Sequence, residues 1–501
     1  MGYKRMKFVS TRSSRSKEVN KGISSAQAII RGIAQDRGLF VPEKLPELPV
    51  KPDKMKRTDY RETAYQVLSQ FLTDFTETEM RQCVESAYDD KFEALAVVPL
   101  VKGGDAWFLE LFHGRTAAFK DMALSILPHL LTVSLAKEKE NSKIAILTAT
   151  SGDTGKAALE GFADVANTEI IVFYPHVGVS QVQQRQMTTQ EGQNTHVFGI
   201  QGNFDDAQSV VKKIFNDDDL AASLKKKGYK FSSANSINIG RLVPQVAYYV
   251  WAYLQLLTEG AVQPGEKMNV VVPTGNFGNI LAAYYAREMG IPIGKFICAS
   301  NQNKVLTDFI NTGIYDINRD FHVTSSPSMD ILISSNLERL LYHLSGNDGE
   351  QVSELMKSLE EQKHYQVNEK IRKGLDDFYG GYATENETSA AIRDMYQEYH
   401  YLMDPHTAVG YKVYAEYRKS TGDKTPTVIA ATASAYKFAD TVADAIGLQS
   451  TSNGFEAIQA LNLATGVRIP EGLKGLEEKE IRHKEVLAKD GIVGAVMKSL
   501  K

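Results

Sequence analysis

Short buried strands that alternate with helices constrain the fold of this chain most strongly. From about residue 98, apolar runs such as 143–149 and 268–273 are separated by segments with helical spacing. Such alternation is typical of α/β proteins, in which helices cover both faces of parallel sheets. The sequence therefore predicts parallel sheets whose ligands bind at the carboxyl ends of the strands.

The same pattern predicts the individual elements. Strands are expected at 8–10, 106–111, 143–149, 169–175, 195–200, 268–273, 295–299 and 427–432. Helices are expected at 24–34, 60–71, 77–87, 154–164, 181–190, 204–215 and 240–257, and the charged segment 345–400 is expected to be a helical insertion.

The chain of 501 residues is too long for one hydrophobic core. We predict an N-terminal mixed α/β subdomain at residues 1–97 and a catalytic region at 98–501. Within the catalytic region, a small α/β domain is expected at about 130–230, and the remainder is expected to form a large domain. The N-terminal subdomain shows no chemistry of its own and is expected to cover part of the core.

Composition argues against several classes of function. A net charge of −4, from 57 basic and 61 acidic residues, gives no indication of a nucleic-acid or membrane partner. Cys83 and Cys298 are too far apart in sequence to indicate a disulfide framework, and no metal-binding motif is present. Residues 1–21 lack the apolar core of a secretory signal. A cytoplasmic protein without a metal site is expected.

A lysine at the start of an apolar helix face is the first candidate for chemistry. Lys120 follows Phe119 and precedes the apolar run that begins at Met122. A dry pocket would favour the neutral amine, which an imine-forming nucleophile needs. Taken alone, however, Lys120 is explained more simply as a lysine that extends to solvent.

The strand at 143–149 leads into a loop of small hydroxyl residues and glycines, 150–157. Such a loop presents backbone N–H groups to an anion at the start of a helix. It is not a Walker A loop, because Thr150 stands where that motif has glycine and Ala157 where it has serine or threonine. The alternative is a plain turn in which Asp153 or Thr154 caps the helix.

The strand at 268–273 leads into a second loop, which contains Gly275 and Gly278. Two glycines three residues apart let the backbone wrap closely around one phosphate, and the helix dipole adds attraction. The loop lacks the dinucleotide fingerprint. After the strand at 427–432, the Thr432 hydroxyl can hydrogen-bond a neutral heteroaromatic nitrogen, or it can simply cap the next helix.

A buried lysine, a cup for one phosphate and a neutral hydroxyl partner suggest pyridoxal 5'-phosphate. The chain resembles the threonine synthase family of fold type II pyridoxal-phosphate enzymes. The motifs lie in the family's order along nearly the whole chain: SSAQAIIRGIAQDRGLFVP (24–42), LFHGRTAAFKD (111–121), TATSGDTGKAA (148–158), NSINIGRLVPQ (235–245), PTGNFGN (273–279), DPHTAVGY (404–411) and TASAYKF (432–438). This resemblance implies two parallel-sheet domains like those of the tryptophan synthase β subunit.

The resemblance also implies the roles of individual residues. Lys120 is expected to be catalytic and to carry the cofactor as a Schiff base, and Arg241 is expected to bind the substrate phosphate through its guanidinium fork. The alternative for Arg241 is a helix-start arginine that pairs with a surface acid. The expected cofactor-binding residues are Phe119, Lys120, Asp153, Gly275, Asn276, Phe277, Gly278, Asn279 and Thr432. The expected substrate-binding residues are Thr150, Ser151, Gly152, Thr154, Ser236, Asn238 and Arg241.

Two departures from the family pattern leave residues unassigned. The family often has proline where Arg115 stands, and His-Pro-Ala where residues 434–436 stand. The roles of Arg115 and Ser434 are therefore open. His406 lies within a motif but fits a structural role.

The resemblance implies that the chain converts O-phospho-L-homoserine and water to L-threonine and phosphate, which is the last step of threonine biosynthesis. It also implies that the enzyme is a carbon–oxygen lyase. The nearest alternative is a phospho-lyase that releases 2-oxobutyrate from the same substrate. A non-catalytic binding protein on the same fold is less favoured because Lys120 is present, and an ATPase because the Walker A pattern fails. A small-molecule substrate is expected, and the oligomeric state is not indicated.

Overall fold

Two sheets with parallel strands organise the part of the chain that the structure describes. This computed structural model describes residues 5–13, 22–55, 59–150, 152–176, 179–202, 204–215, 217–448 and 453–500. The predicted α/β class is confirmed, with both sheets built mainly from the strands expected from the sequence. The proposed domain boundaries remain predictions.

The larger sheet has six strands within the described residues, and all neighbours are parallel except at one edge. The antiparallel strand, Leu100–Gly103, pairs with Ala106–Glu110. Because the other strands run the same way, the loops that follow three adjacent strands open at one edge. The strand order is Phe378–Tyr382, Ile293–Ser300, Met268–Pro273, Thr427–Ala431, Ala106–Glu110 and Leu100–Gly103.

The smaller sheet has five strands within the described residues, all parallel. Strand Lys143–Ala149 leads into the loop that contains Thr150 and Gly152, and the neighbouring edge strand Tyr229–Ser232 leads into the segment that follows residue 232. The strand order is Val486–Leu487, Thr195–Ile200, Thr168–Pro175, Lys143–Ala149 and Tyr229–Ser232.

Both sheets are buried on both faces. In the larger sheet, Val270 and Val272 lie in one apolar cluster, whereas Val271 between them lies in another. In the smaller sheet, Ile146 belongs to the first cluster and Leu147 to a third. Successive side chains of a strand point to opposite faces, so continuous apolar runs require helices on both sides of the sheet.

The N-terminal segment packs against the helix that begins beside Lys120. Its first helix starts at a capping box between Ser24 and Gln27, which satisfies backbone donors at the helix end. The Tyr88 hydroxyl donates to the Met122 carbonyl at 2.7 Å. The segment comprises the antiparallel strands Phe8–Ser10 and Phe40–Pro42 and the helices Ser25–Arg31, Tyr60–Phe71 and Glu77–Ala87.

Helices and short 3-10 turns fill the rest of the described chain. The helices are Asp121–Leu124, Leu127–Lys137, Asp153–Phe162, Gln181–Thr188, Phe204–Phe215, Asp218–Lys226, Ile239–Leu242, Pro244–Thr258, Gly278–Glu288, Val305–Thr312, Leu337–Leu344, Gly349–Gln362, Glu369–Gly374, Glu385–Tyr399, Pro405–Thr421, Ala439–Ala445, Gly454–Thr465 and Ile492–Ser499. The 3-10 helices are Pro52–Lys54, Pro327–Met329, Leu375–Asp377, Ala435–Phe438, Glu471–Leu473, Leu476–Glu478 and Lys489–Gly491. None of the helices in the described ranges combines the length and apolarity needed to cross a bilayer.

Two predictions need correction. Segment 345–400 is not wholly helical, because Phe378–Tyr382 forms an edge strand of the larger sheet and His364–Gln366 pairs with Ile314–Asp316. The expected helix at 240–257 is two helices, because Pro244 lacks the N–H that would continue the hydrogen bonds across Val243.

Several short strands escape the sequence pattern. Tyr229–Ser232 and Val486–Leu487 complete the smaller sheet, and Leu100–Gly103 forms an edge of the larger one. Each has two to four residues, too few for a clear alternation of apolar and polar side chains.

Candidate active site

Lys120 lies where the chain leaves the larger sheet. Just before the lysine, Ala118 forms an isolated antiparallel β-bridge with Ala433, which follows strand Thr427–Ala431. The Phe119 N–H donates to the Thr432 carbonyl at 2.8 Å. These contacts fix the backbone on either side of the lysine. The Lys120 ammonium lies 4.7 Å from the centre of the Phe119 ring.

The Lys120 side chain is buried, with 8% of its surface exposed. Its Nζ lies 3.5 Å from Asp153 Oδ2 and donates to Ser328 Oγ at 3.4 Å. Burial lowers the pKa of Lys120 to about 8, because the charged form is poorly solvated; the nearby positive charge of Arg241 acts in the same direction, and Asp153 opposes it. The alternative of a solvent-exposed lysine is therefore wrong.

The glycine-containing loop at 275–279 is shaped by its backbone. Phe277 has a left-handed φ of 63°, and no side chain caps the helix Gly278–Glu288 that follows. Gly275 has no room for a side chain, because a Cβ there would lie 2.5 Å from the Ser328 carbonyl oxygen. An uncapped helix start beside glycines suits one phosphate.

Asn279 adds a polar group that the described residues leave unsatisfied. Its Oδ1 accepts hydrogen bonds from the hydroxyls of Tyr248, at 2.8 Å, and Tyr249. Its Nδ2 is buried, and no hydrogen-bond partner for it is found in the described part of the chain. A buried amide donor without a partner costs free energy, which a bound acceptor recovers.

Thr432 is the buried residue directly after Thr427–Ala431. Its backbone N–H donates to Thr407 Oγ1 at 3.3 Å, and the following 3-10 helix is capped by Ser434. The alternative that Thr432 caps this helix is therefore wrong. Its hydroxyl has no hydrogen bond to any residue that the structure describes.

The loop after strand Lys143–Ala149 is stabilised by hydrogen bonds to one of its own residues, Thr150. Thr150 Oγ1 accepts from the N–H groups of Gly152 at 3.0 Å and Gly155 at 2.9 Å. Gly152, with φ of 141°, precedes the helix, which starts at Asp153 and has no side-chain cap. Neither Asp153 nor Thr154 therefore caps this helix, contrary to the alternative. Ser151 lies outside the described residues.

Asp153 lies between two buried lysines. Lys437 Nζ is 2.7 Å from Asp153 Oδ1, which also accepts from Gln183 Nε2 at 2.8 Å. Although burial opposes ionisation, the charges of Lys437 and Lys120 hold the pKa of Asp153 well below its usual range. Asp153 is therefore an anion shared by two cations.

Arg241 provides a third buried cation. It is 5% exposed, and burial lowers its pKa to about 10. Its Nη1 donates to the Ala234 carbonyl at 2.8 Å, and no carboxylate of the described chain forms an ion pair with it. Pairing with a surface acid, the alternative considered for this residue, is therefore wrong.

Ser236 and Asn238 are committed mainly to the fold. The Asn238 side chain accepts from the Gly240 N–H and donates to the Ile29 and Ser233 carbonyls. Ser236 Oγ accepts from Asn336 Nδ2 at 3.0 Å. Their substrate contacts, like the one expected of Thr154, remain predictions.

Comparison with known proteins identifies the family. Family models described as "Threonine synthase N terminus", "Pyridoxal-phosphate dependent enzyme" and "Threonine synthase, C-terminal" match residues 7–88, 97–433 and 407–496. Threonine synthase from Pseudomonas aeruginosa is 38% identical over 95% of both chains. The chain belongs to the threonine synthase family of pyridoxal-phosphate-dependent enzymes.

Two further relatives extend this assignment. The crystal structure of pyridoxal-phosphate-bound threonine synthase from Brucella melitensis superposes with a TM-score of 0.86 at 36% identity, covering 99% of this chain and 100% of that one. Human threonine synthase-like 1 is 41% identical over 88% of this chain, which spans 61% of that longer protein. As a member of this family, the chain uses pyridoxal phosphate as its cofactor.

The residues of this chain fit that cofactor. Among the described residues, neither the start of the helix at Gly278 nor the Asn279 amide nitrogen has a side-chain partner, and both suit the cofactor phosphate. The Thr432 hydroxyl, which likewise has no hydrogen bond within the described chain, suits the ring nitrogen. Lys120 has the lowered pKa that imine formation requires. The individual contacts to the cofactor remain predictions.

Two parts of the site escape the sequence argument. One is Lys437, which lies between Tyr436 and Phe438 in apolar surroundings like those of Lys120. The sequence therefore does indicate that Lys437 is buried. Ser328 lies on a 3-10 helix within a segment that lacks strand–helix alternation, and no local pattern marks it.

His406 also has a more specific position than a generic structural role. Its Nε2 accepts from the Ser328 N–H at 3.2 Å, and its Nδ1 is 2.6 Å from Asp404 Oδ2. The ring therefore holds the backbone of Ser328, whose hydroxyl contacts Lys120 and whose carbonyl packs on Gly275. His406 acts on the site through Ser328.

Proposed function

We propose that this chain is a threonine synthase, a lyase that converts O-phospho-L-homoserine and water to L-threonine and phosphate. The observation that carries the proposal is Arg241, a buried guanidinium without a carboxylate partner in the described chain. An uncompensated buried cation is costly unless an anion binds it. The substrate phosphate, two of whose oxygens can pair with a guanidinium fork, is that anion.

The charges of the cleft support the same substrate. Lys120 and Lys437 lie beside the buried Asp153 carboxylate, Lys437 also interacts with the buried Asp121, and the charge of Arg241 acts on Lys120. This excess of positive charge suits a substrate that carries a phosphate and a carboxylate. Binding both anions turns the amino acid so that its α carbon lies near the lysine that moves protons.

The proposed roles begin with the cofactor. Lys120 binds it covalently, the loop at 275–279 holds its phosphate and Thr432 hydrogen-bonds its ring nitrogen. When bound, pyridoxal phosphate withdraws electrons from the substrate and so eases the loss of protons from its carbons. The chain supplies orientation and the groups that exchange those protons.

Lys120 is the proposed general base. Its pKa of about 8 leaves a useful fraction of neutral amine near neutral pH, and this amine removes the proton from Cα. In the overall conversion the Cγ–O bond to phosphate breaks, and the water oxygen bonds to Cβ. Cβ loses one proton, Cγ gains one, and the remaining proton of water leaves with phosphate. Arg241 holds the phosphate as its charge increases.

The test is product analysis with purified holoenzyme and O-phospho-L-homoserine. We expect phosphate and threonine in equal amounts. Equal amounts of phosphate and 2-oxobutyrate would instead assign the phospho-lyase reaction, and no phosphate release would reject the substrate. A matched pair of variants, Lys120→Ala and Lys295→Ala at a half-buried lysine that donates to the Asp376 carbonyl, separates the loss of the proposed base from the loss of any lysine.

A further inference from the structure

Lys437 is a fully buried lysine that the reaction described above does not use. It lies on the 3-10 helix Ala435–Phe438, directly after Thr432, and none of its surface is exposed. Transfer of an ammonium from water to a protein interior is costly unless the charge is paired and hydrogen-bonded. Lys437 is therefore expected to have partners that stabilise its buried charge.

Two contacts hold the Lys437 ammonium. It lies 2.7 Å from Asp153 Oδ1 and donates to the Thr116 carbonyl at 2.9 Å. The Thr116 carbonyl belongs to the segment that leads to Lys120, whereas Asp153 begins a helix of the smaller sheet. Lys437 thus joins the two sides of the cleft next to the cofactor lysine.

The two oxygens of Asp153 are used unequally. Oδ1 is occupied by Lys437 and by Gln183, at 2.7 and 2.8 Å. Oδ2 lies 3.5 Å from Lys120 Nζ, which is longer than a strong charge-assisted hydrogen bond. The carboxylate is therefore bound more closely by Lys437 than by Lys120.

The charged groups around Lys437 define what its removal would do. Asp153 and Asp121 attract it, and it repels Lys120, which also feels the charge of Arg241. Without Lys437, the nearest cation to Asp153 would be Lys120. A lysine paired with a carboxylate stays protonated, and a protonated amine cannot attack an aldehyde.

We propose that Lys437 is a positioning residue that binds the Asp153 carboxylate and so leaves the Lys120 amine without a committed anionic partner. This inference rests on the proposed role of Lys120 as the cofactor-binding lysine. It does not depend on which substrate the enzyme uses or which product it releases.

The experiment measures the reactivity of Lys120 in the full chain freed of cofactor. The protein is mixed briefly with pyridoxal phosphate at a series of pH values and quenched with borohydride, and the modified fraction of Lys120 is quantified by peptide mass spectrometry. In the wild type we expect the modification rate to reach half its maximum near pH 8. The control Lys295→Met, at a half-buried lysine, should have the same midpoint.

Lys437→Met should raise this midpoint by about one to two pH units, because Asp153 then pairs with Lys120 and a repelling charge is lost. At pH 7 this corresponds to a decrease in rate of about 10- to 100-fold. The double variant Lys437→Met/Asp153→Asn removes the anion as well and should return the midpoint to near pH 8. An unchanged or lower midpoint in Lys437→Met would overturn the proposal, as would a double variant that keeps the raised midpoint.

A second substitution keeps the test decisive if Lys437→Met does not fold. Lys437→Gln removes the charge but keeps a side chain that can donate to the Asp153 carboxylate and the Thr116 carbonyl. It should also raise the midpoint, because a neutral amide binds a carboxylate less strongly than an ammonium does. A Lys437→Gln midpoint equal to that of the wild type would reject the role of Lys437. Absence of Lys120 modification in the wild type would reject both this proposal and the cofactor role of Lys120, whereas a normal midpoint with no threonine formed would reject the proposed reaction alone.

Discussion

The two sides of the cleft are built in different ways. The larger sheet contributes backbone and neutral groups, the loop at 275–279 and Thr432, that lie directly after their strands. The smaller sheet contributes Asp153, a charge whose partner Lys437 lies far away in sequence. The neutral side is therefore specified locally, whereas the charged side depends on contacts between distant segments. Variants of the charged side should therefore change substrate binding, and variants of the neutral side should change cofactor binding.

The largest expected effect comes from the lysine that lies between the two sides. Lys120→Ala should lower kcat by at least about 10³-fold, because it removes both the covalent attachment of the cofactor and the proposed general base. Steady-state assays with O-phospho-L-homoserine check this, with Lys295→Ala as the control. Near-native turnover by Lys120→Ala would contradict the assignment of the base.

Arg241→Gln tests the charged side. Because hydrogen bonds to charged groups contribute about 1.5–3 kcal/mol, KM for O-phospho-L-homoserine should rise by about 10- to 150-fold. Cofactor affinity, measured by titration of the visible absorbance, should change little. Arg241→Lys keeps the charge but not the guanidinium fork, so its KM should lie between those of the wild type and Arg241→Gln. A loss of cofactor affinity with unchanged KM would reverse the assignment of the two sides.

Gly275→Ala tests the neutral side. The added Cβ would lie 2.5 Å from the Ser328 carbonyl, so the loop and the 3-10 helix must separate. Overpacking of this kind costs about 1–3 kcal/mol, and the dissociation constant for pyridoxal phosphate should rise by about 5- to 150-fold. Gly290→Ala, where a Cβ has open space but φ is 112°, controls for the loss of a glycine. Equal cofactor affinity in wild type and Gly275→Ala would remove this loop from the cofactor site.

The smallest effect is expected at His406, which touches the site through Ser328. His406→Gln should weaken the hydrogen bond to the Ser328 N–H and raise the dissociation constant for pyridoxal phosphate by about 2- to 10-fold. The KM measured at saturating cofactor should not change. A change in KM alone would place His406 on the substrate side.

The sequence predicts the strands, the loop and the helix of the neutral side, because the information for them is local. A strand followed by small residues and a helix is visible within about a dozen positions, as at Gly275 and Gly278. The strand Phe378–Tyr382 was hidden because helical spacing surrounds its five residues. The division of the helix at Pro244 is indicated only by one missing backbone donor, within an apolar pattern that is otherwise continuous.

The charged side is less accessible from the sequence because pairing is a property of the folded chain. Lys437 stands in apolar surroundings that mark it as buried, but the identity of its partner depends on the distance between two sheets. Ser328 has no such mark, and its contact with Lys120 spans 208 positions. Tertiary contacts of this kind have no local periodicity.

The most direct test of the division between the two sides is a crystal structure of the full chain with pyridoxal phosphate and inorganic phosphate. We predict continuous electron density between Lys120 Nζ and the cofactor, the cofactor phosphate at the start of helix Gly278–Glu288, and a second phosphate on Arg241. These assignments would be contradicted by a cofactor bound to Lys437, by a cofactor phosphate on the loop at 150–153, or by an Arg241 without bound phosphate.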